Sequence, residues 1–194
     1  MTVYKGQIAS IHIGQPDVLE KASADTLTFE LDGIVGDRHR GFEREAWSSG
    51  DRQPGGTIRR NERHWSAMSV EDIAQISADM DLTQTLDAGD LGVNFSISGV
   101  PEFSRLTKGT ILKFASGAEL VVVEYNPPCS DMGEDLAQKY TKHSGQAPSA
   151  KDFLLAATVS RGVVGIVDVP GTISVGDAVE VHLYQTPKRL QRSA

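Results

Sequence analysis

Apolar and polar residues alternate along most of this chain in short runs broken by glycine-bearing turns, and this property does most to narrow its possible folds. Ile11 and Ile13 flank His12. Leu27, Phe29 and Leu31 alternate with Thr28 and Glu30, residues 162–169 and 178–184 repeat the pattern, and residues 120–125 are rich in β-branched side chains. A period of two sends successive side chains to opposite faces of a strand, so each run can turn one face to a core. Residues 107–114 and 174–181 share a form in which a turn containing Gly109 or Gly176 feeds a strand. Recurrent short strands of this kind predict a closed or nearly closed β-barrel.

Two segments break the alternation with a helical period. Ser69 is a good N-cap with Asp72 three residues on, and Ile73, Ile76 and Met80 then share a face. A second helix is expected over about 130–142. Its stripe is Met132, Leu136 and Tyr140, with Asp131, Glu134 and Asp135 early and Lys139 and Lys142 late, the polarity that suits the helix dipole. Residues 36–63 and 144–149 read as loops, the first long enough to suggest a functional role. The fold class is therefore mainly β with a few helices (α+β). A length of 194 residues suits one domain, 1–194, with its core over about 25–184 and a basic, frayed tail at 186–194.

Composition removes several classes of function. A net charge of −7 gives no general attraction for nucleic acid or for an anionic membrane, so any anion site must be a local cluster of Arg, Lys and His. The first ten residues carry Lys5 and lack an apolar signal core, and no run approaches the ~20 apolar residues that span a bilayer. A single cysteine cannot form an internal disulfide, and a cytoplasmic location is the expectation.

That cysteine, Cys129, follows Asn126-Pro127-Pro128 and precedes the second helix. The prolines hold the approach extended. At or just before a helix N-terminus, unpaired N–H groups favour a thiolate, whereas Asp131, Glu134 and Asp135 oppose it, so a neighbouring cation is needed. The competing reading is a small buried apolar cysteine with a structural role in a plain β-barrel interaction domain. A second cluster lies in the long loop. Gly33, Gly36 and Gly41 allow tight turns around Arg38, His39 and Arg40, and Arg59, Arg60, Asn61 and Arg63 follow before Trp65 resumes a strand. These donors suit phosphate or a polar heterocycle. The alternative is a solvated loop held by Asp37, Glu43, Glu45 and Asp51. Asn94, in a turn leading to a strand, could read a ligand amide or bond the local backbone. The histidines show no metal-ligand spacing.

In their order, several of these pieces resemble the MOSC domain, the C-terminal module of molybdenum cofactor sulfurases, which also occurs as stand-alone bacterial proteins. The pieces are Gly33-Ile34-Val35-Gly36-Asp37-Arg38-His39, Arg60-Asn61-Glu62-Arg63, Met68-Ser69-Val70-Glu71, Gly89-Asp90-Leu91-Gly92-Val93-Asn94, Pro128-Cys129, Arg161-Gly162 and Gly171-Thr172-Ile173-Ser174-Val175-Gly176-Asp177. The resemblance implies a barrel-like fold and a cleft for sulfur or a molybdenum–molybdopterin cofactor. Cys129 would be the catalytic group and metal ligand, and Arg38, His39, Asn61, Arg63 and Asn94 would line the cleft. The histidine that many stand-alone members carry before a Gly-Gly pair is absent here, where the chain reads Gln53-Pro54-Gly55-Gly56. The resemblance also implies binding of the molybdenum cofactor, sulfur carriage through Cys129, or reduction of N-hydroxylated substrates; the alternative is a non-catalytic carrier. A cysteine desulfurase or an electron-donor protein would be the partner, since this chain has no pyridoxal phosphate site.

Overall fold

A computed structural model describes residues 2–48 and 50–186. The strands are β1 (Val3–Gly14), β2 (Lys21–Ser23), β3 (Thr26–Glu30), β4 (Gly33–Ile34), β5 (Glu43–Glu45), β6 (Ile58–Arg60), β7 (Trp65–Ser69), β8 (Phe95–Ser98), β9 (Ile111–Phe114), β10 (Glu119–Tyr125), β11 (Val163–Val169), β12 (Gly171–Ser174) and β13 (Ala178–His182). The helices are α1 (Val70–Asp79), α2 (Ser130–Lys139) and α3 (Ala150–Ala156).

The main sheet runs β13-β9-β10-β11-β7-β8-β1-β2, and β13 pairs back onto β1, closing a barrel. Closure removes the open edges that an alternating sheet would otherwise present. The longest strand, β1, lies ahead of the expected core boundary near residue 25 and makes the closure, bonding β13, β8 and β2. All barrel pairings are antiparallel except β7–β8, whose parallel register requires the crossover that α1 supplies.

The alternation read from sequence becomes the packing pattern. Ile8, Ile11, Leu112, Leu120, Val122, Val163, Val179 and Val181 fill the barrel interior. On β7, Trp65 and Ala67 face that interior, while Met68 points the other way into a second core formed with Ile73, Ile76, Leu91, Met132, Leu136 and Phe153. Gly165 lies under Trp65, whose ring would be 2.4 Å from a Cβ added there. The short sheet β12-β3-β4 contributes Leu27, Phe29 and Ile173 to the barrel core.

Ser69 caps α1 by accepting the Asp72 N–H, as expected. The second helix ends at Lys139, short of the expected 142. The sequence reading lacked α3, which Ser149 and Asp152 start with a complete capping box. Gly133 of α2 sits directly against α3, and a Cβ there would approach Ala150 Cα to 2.7 Å. The long 36–63 loop contains the β5–β6 hairpin. Among the described residues no helix is long and apolar enough to cross a membrane. Of the tail expected to fray, residues 187–194 lie outside the described residues.

Candidate functional site

The candidate site begins where β10 leaves the barrel. Asn126 is buried, its N–H donating to Gly162 O at 3.0 Å, and the Pro-Pro step then carries the chain to Cys129. Cys129 is the N-cap of α2 with extended backbone (φ −123°, ψ 156°), and its side chain caps nothing. The thiol is exposed rather than packed into the core. Within the first turn of α2 lies one carboxylate, Asp131.

Bonded to the chain that leads into this corner is Arg161, 6% exposed, on the segment that enters β11. Its backbone N–H donates to the Tyr125 hydroxyl at 3.2 Å, which ties it to the end of β10. One guanidinium nitrogen donates to Leu91 O, another points at Met68 Sδ at 3.2 Å, and Nε has no acceptor. Phe153 presents its ring to the guanidinium at 5.9 Å. Burial pushes Arg161 down to about 10, and the Arg63 charge adds to that fall. Gly162 (φ +83°) makes this placement possible, because an added Cβ would meet Ala67 O at 2.0 Å.

Arg63 links this corner to the basic loop. It donates to Asn126 Oδ1, bonds Glu124 at 3.4 Å, and lies over the Trp47 ring at 5.2 Å. Arg63 lies within electrostatic reach of Arg161 on one side and of Lys21 on the other, and Lys21 in turn feels Arg38. Burial lowers the pKa of Arg63.

The residues expected to contact a ligand divide into two groups. Asn94, 1% exposed, is saturated: Oδ1 accepts from Lys21 Nζ at 2.7 Å and from Ser66 N at 3.0 Å, and Nδ2 donates to Asp37 Oδ2 at 2.8 Å. Asn61 is also engaged, donating to His39 O at 2.7 Å and Gly41 O at 2.9 Å and accepting the Arg63 N–H at 3.1 Å. Both amides hold the loop rather than projecting from it. Arg38 donates to Val18 O and keeps an unpartnered Nε. His39 places Nδ1 3.2 Å from Asp37 Oδ1 and is partly exposed. Burial lowers its pKa despite that carboxylate.

The centre of this arrangement is a buried pair that the sequence reading did not single out. Asp37 Oδ2 accepts from Gly14 N at 2.7 Å and Lys21 Nζ at 3.2 Å, and Oδ1 accepts His39 N at 2.8 Å. Burial alone would raise the Asp37 pKa. The bonds from His39, the Lys21 charge and the Gly14 N–H outweigh it and hold the carboxyl well below the usual range. Burial pushes Lys21 down to about 8 against the pull of Asp37. Elsewhere in the loop Arg44 and Arg59 both bridge Asp51 and Glu62, and Arg44 stacks on Trp47 at 4.3 Å. These arginines are neutralised locally, with Asp51 and not Glu43 or Glu45 holding them. An open depression of about 780 Å³ lies between this loop and the outer face of β10, lined by Asp51, Arg59, Glu62, Lys108, Val121 and Val123; Cys129 does not line it. Among the described residues no group of three His, Cys, Asp or Glu side chains converges to hold a metal.

Comparison with known proteins bears on the family and the fold. A family profile described as the MOSC domain matches residues 37–180. A Bacillus subtilis (strain 168) protein, YuaD, whose name assigns it provisionally to metal-sulfur cluster biosynthesis, is 36% identical over 173 residues, covering 88% of this chain and 85% of its own. The crystal structure of Bacillus subtilis YuaD superposes with a TM-score of 0.87 at 31% identity, covering 95% of this chain and 99% of that one. The crystal structure of YiiM from Geobacillus stearothermophilus shares the fold, with a TM-score of 0.59 at 17% identity over 91% of this chain and 74% of that one.

Proposed function

Starting from the fact that the chain belongs to the MOSC domain family, we propose that it handles a molybdenum–pterin cofactor through Cys129. The observation that carries this reading is an exposed thiol at the N-cap of α2 whose side chain caps nothing. The donor set fits such a group. A thiolate is a soft ligand suited to molybdenum or to sulfane sulfur. With no convergent metal triad among the described residues, Cys129 would be the single protein ligand. Arg38, His39 and Arg63 would offer donors for the phosphate and pterin, and the buried Arg161 adds a positive charge on the segment bonded to Tyr125 and Asn126. The cofactor, when bound, would supply two-electron chemistry such as reduction of N-hydroxylated substrates, with electrons from a donor protein. Asn61 and Asn94 hold the 37–41 turn in place, Asn61 through the turn's carbonyls and Asn94, the residue before β8, through Asp37.

One observation favours a second reading, sulfur carriage by Cys129 without a resident cofactor. Asn61, Asn94, Arg44 and Arg59 are all committed to partners within the protein. In that case the Cys129 thiolate attacks the outer sulfur of a donor persulfide, as supplied by a cysteine desulfurase. A new S–S bond forms at Cys129, the donor S–S bond breaks, and the donor leaves as a thiolate.

Elemental analysis of protein produced with molybdenum separates the two. The first reading expects molybdenum in the wild-type protein and its loss in Cys129→Ser; full metal content in that variant would refute the ligand role. The second expects no metal and a mass gain of one sulfur on Cys129 after incubation with a desulfurase and cysteine.

A further inference from the structure

We propose that the open depression between the β5–β6 hairpin and the outer face of β10 is a second binding site, for a small organic anion with an apolar body. Cys129 does not line it, so the site is independent of the chemistry at the sulfur.

The floor of the site is apolar. Leu120 and Val122 turn into the barrel, so Val121 and Val123 turn out, and Ile166 of β11 stands beside them because it pairs with Val121. The outer face of an antiparallel strand ordinarily meets water and carries polar residues. Here three β-branched side chains stand together, each half-buried, and they line the depression. The hairpin lines its other side and leaves about 780 Å³ between them. Sites for single small molecules span roughly 300–1,000 Å³ and combine an apolar surface with a few polar groups.

The charges decide the class of ligand. Asp51 is engaged by Arg44 at 2.7 Å and by Arg59. Glu62 is engaged by Arg44 at 2.7 Å and by Arg59 at 2.8 Å. Two carboxylates and two guanidinium groups therefore cancel within the hairpin. Glu124, at the end of β10, is taken by Arg63 at 3.4 Å. Arg52, Arg60 and Lys108 also line the depression, and among the described residues none of them has an ion pair. They come from the hairpin loop, from β6 and from the turn before β9, yet they meet at one surface. Any one of them alone would be an ordinary solvated side chain. Together they reverse the sign of charge locally in a chain of net charge −7, and the acids that could pair with them are already occupied. A cation would be repelled there, and the net charge of the chain opposes an extended polyanion such as nucleic acid. A small molecule with an anionic group and an apolar body would satisfy both the cations and the floor.

The test uses 8-anilinonaphthalene-1-sulfonate, whose fluorescence rises when it leaves water, and the uncharged N-phenyl-1-naphthylamine, which has the same apolar body. Wild-type protein should bind the sulfonate at one saturable site, about tenfold more tightly than the uncharged probe, as a few exposed charges at contact distance allow. Raising sodium chloride to about 0.5 M should narrow that difference. Arg60→Glu and Lys108→Glu should each weaken the sulfonate about tenfold and leave the uncharged probe unaffected, whereas Val123→Asn should weaken both. Inorganic phosphate at equal concentration should not displace the sulfonate. Equal affinity for the two probes, displacement by phosphate, or charge reversals without effect would overturn the assignment. Cys129→Ser should bind the sulfonate as wild type does; lost binding there would put the probe at the wrong corner of the fold and count against the site. If a variant does not fold, the wild-type protein decides through amide NMR shifts on adding the sulfonate. These should centre on Lys108, Val121, Val123 and Ile166, and shifts centred elsewhere, or no binding at all, refute the proposal.

Discussion

Replacing Asp37 with Asn tests the buried pair that supports the loop. The substitution keeps the side-chain shape but removes the charge that faces Lys21, whose side chain is 1% exposed. It also puts an N–H₂ donor among groups that are already donors: Gly14 N, Asn94 Nδ2, His39 N and Lys21 Nζ. Breaking a buried ion pair by removing one partner costs roughly 3–5 kcal/mol, because a charge is left uncompensated. Unfolding entropy of about 2.1 cal/mol/K per residue gives about 0.4 kcal/mol/K for 194 residues. The melting temperature of Asp37→Asn should therefore fall by about 7–12 °C in scanning calorimetry. If the stranded ammonium is the cause, adding Lys21→Met should recover a large part of that loss, giving a coupling of more than about 1 kcal/mol in the double-mutant cycle. A loss below about 1 kcal/mol for Asp37→Asn, or a double variant as unstable as the two singles summed, would refute the reasoning.

Asp37 and Gly162 each carry a further expected outcome. The Asp37 carboxyl is held below its unfolded value, so its contribution is complete above pH about 4 and is lost as pH falls towards the folded value. Urea midpoints measured from pH 6 downward should decline more steeply below pH 4 in wild type than in Asp37→Asn, and parallel curves would contradict this. Gly162→Ala should destabilise by about 2–4 kcal/mol or prevent folding, since the methyl would overlap Ala67 O and force an alanine into positive φ. A chemical-denaturation loss under about 1 kcal/mol would show that β7 can yield there.

Local physics made the barrel legible. Alternation in β3 and β13 reports which face is buried, and that face is the one turned inward; β10 is legible from its β-branched residues, whereas β11 buries Val163, Val164 and Gly165 in succession instead of alternating. The start of α2 after Cys129 is readable from its apolar stripe and the order of its charges, and Ser69 is readable as a helix start because capping is decided within a few residues. The same local signal, Ser149 with Asp152, marked α3 and went unused. What was not legible depends on contacts distant in sequence. Nothing near Lys21 indicates that it is buried against residues 37 and 94, nor near Arg161 that it is buried among Leu91, Met68 and Phe153. Asn61 and Asn94 have the right chemistry for ligand contact. Only the folded chain shows that their hydrogen-bonding capacity is spent on carbonyls, an ammonium and a carboxylate. The local neutralisation of Arg44 and Arg59 by Asp51 and Glu62 also required the fold of the hairpin.

The contact between Gly133 and Ala150 bears on how a substrate or donor must approach. With no side chain on Gly133, the two short helices approach closely at Ala150, where even a methyl group would collide. Cys129 is the residue before α2, so its sulfur stands at the head of a helix seated closely on its neighbour. Selection among donors or cofactors would then turn on the shape and reach with which each meets that corner of the fold.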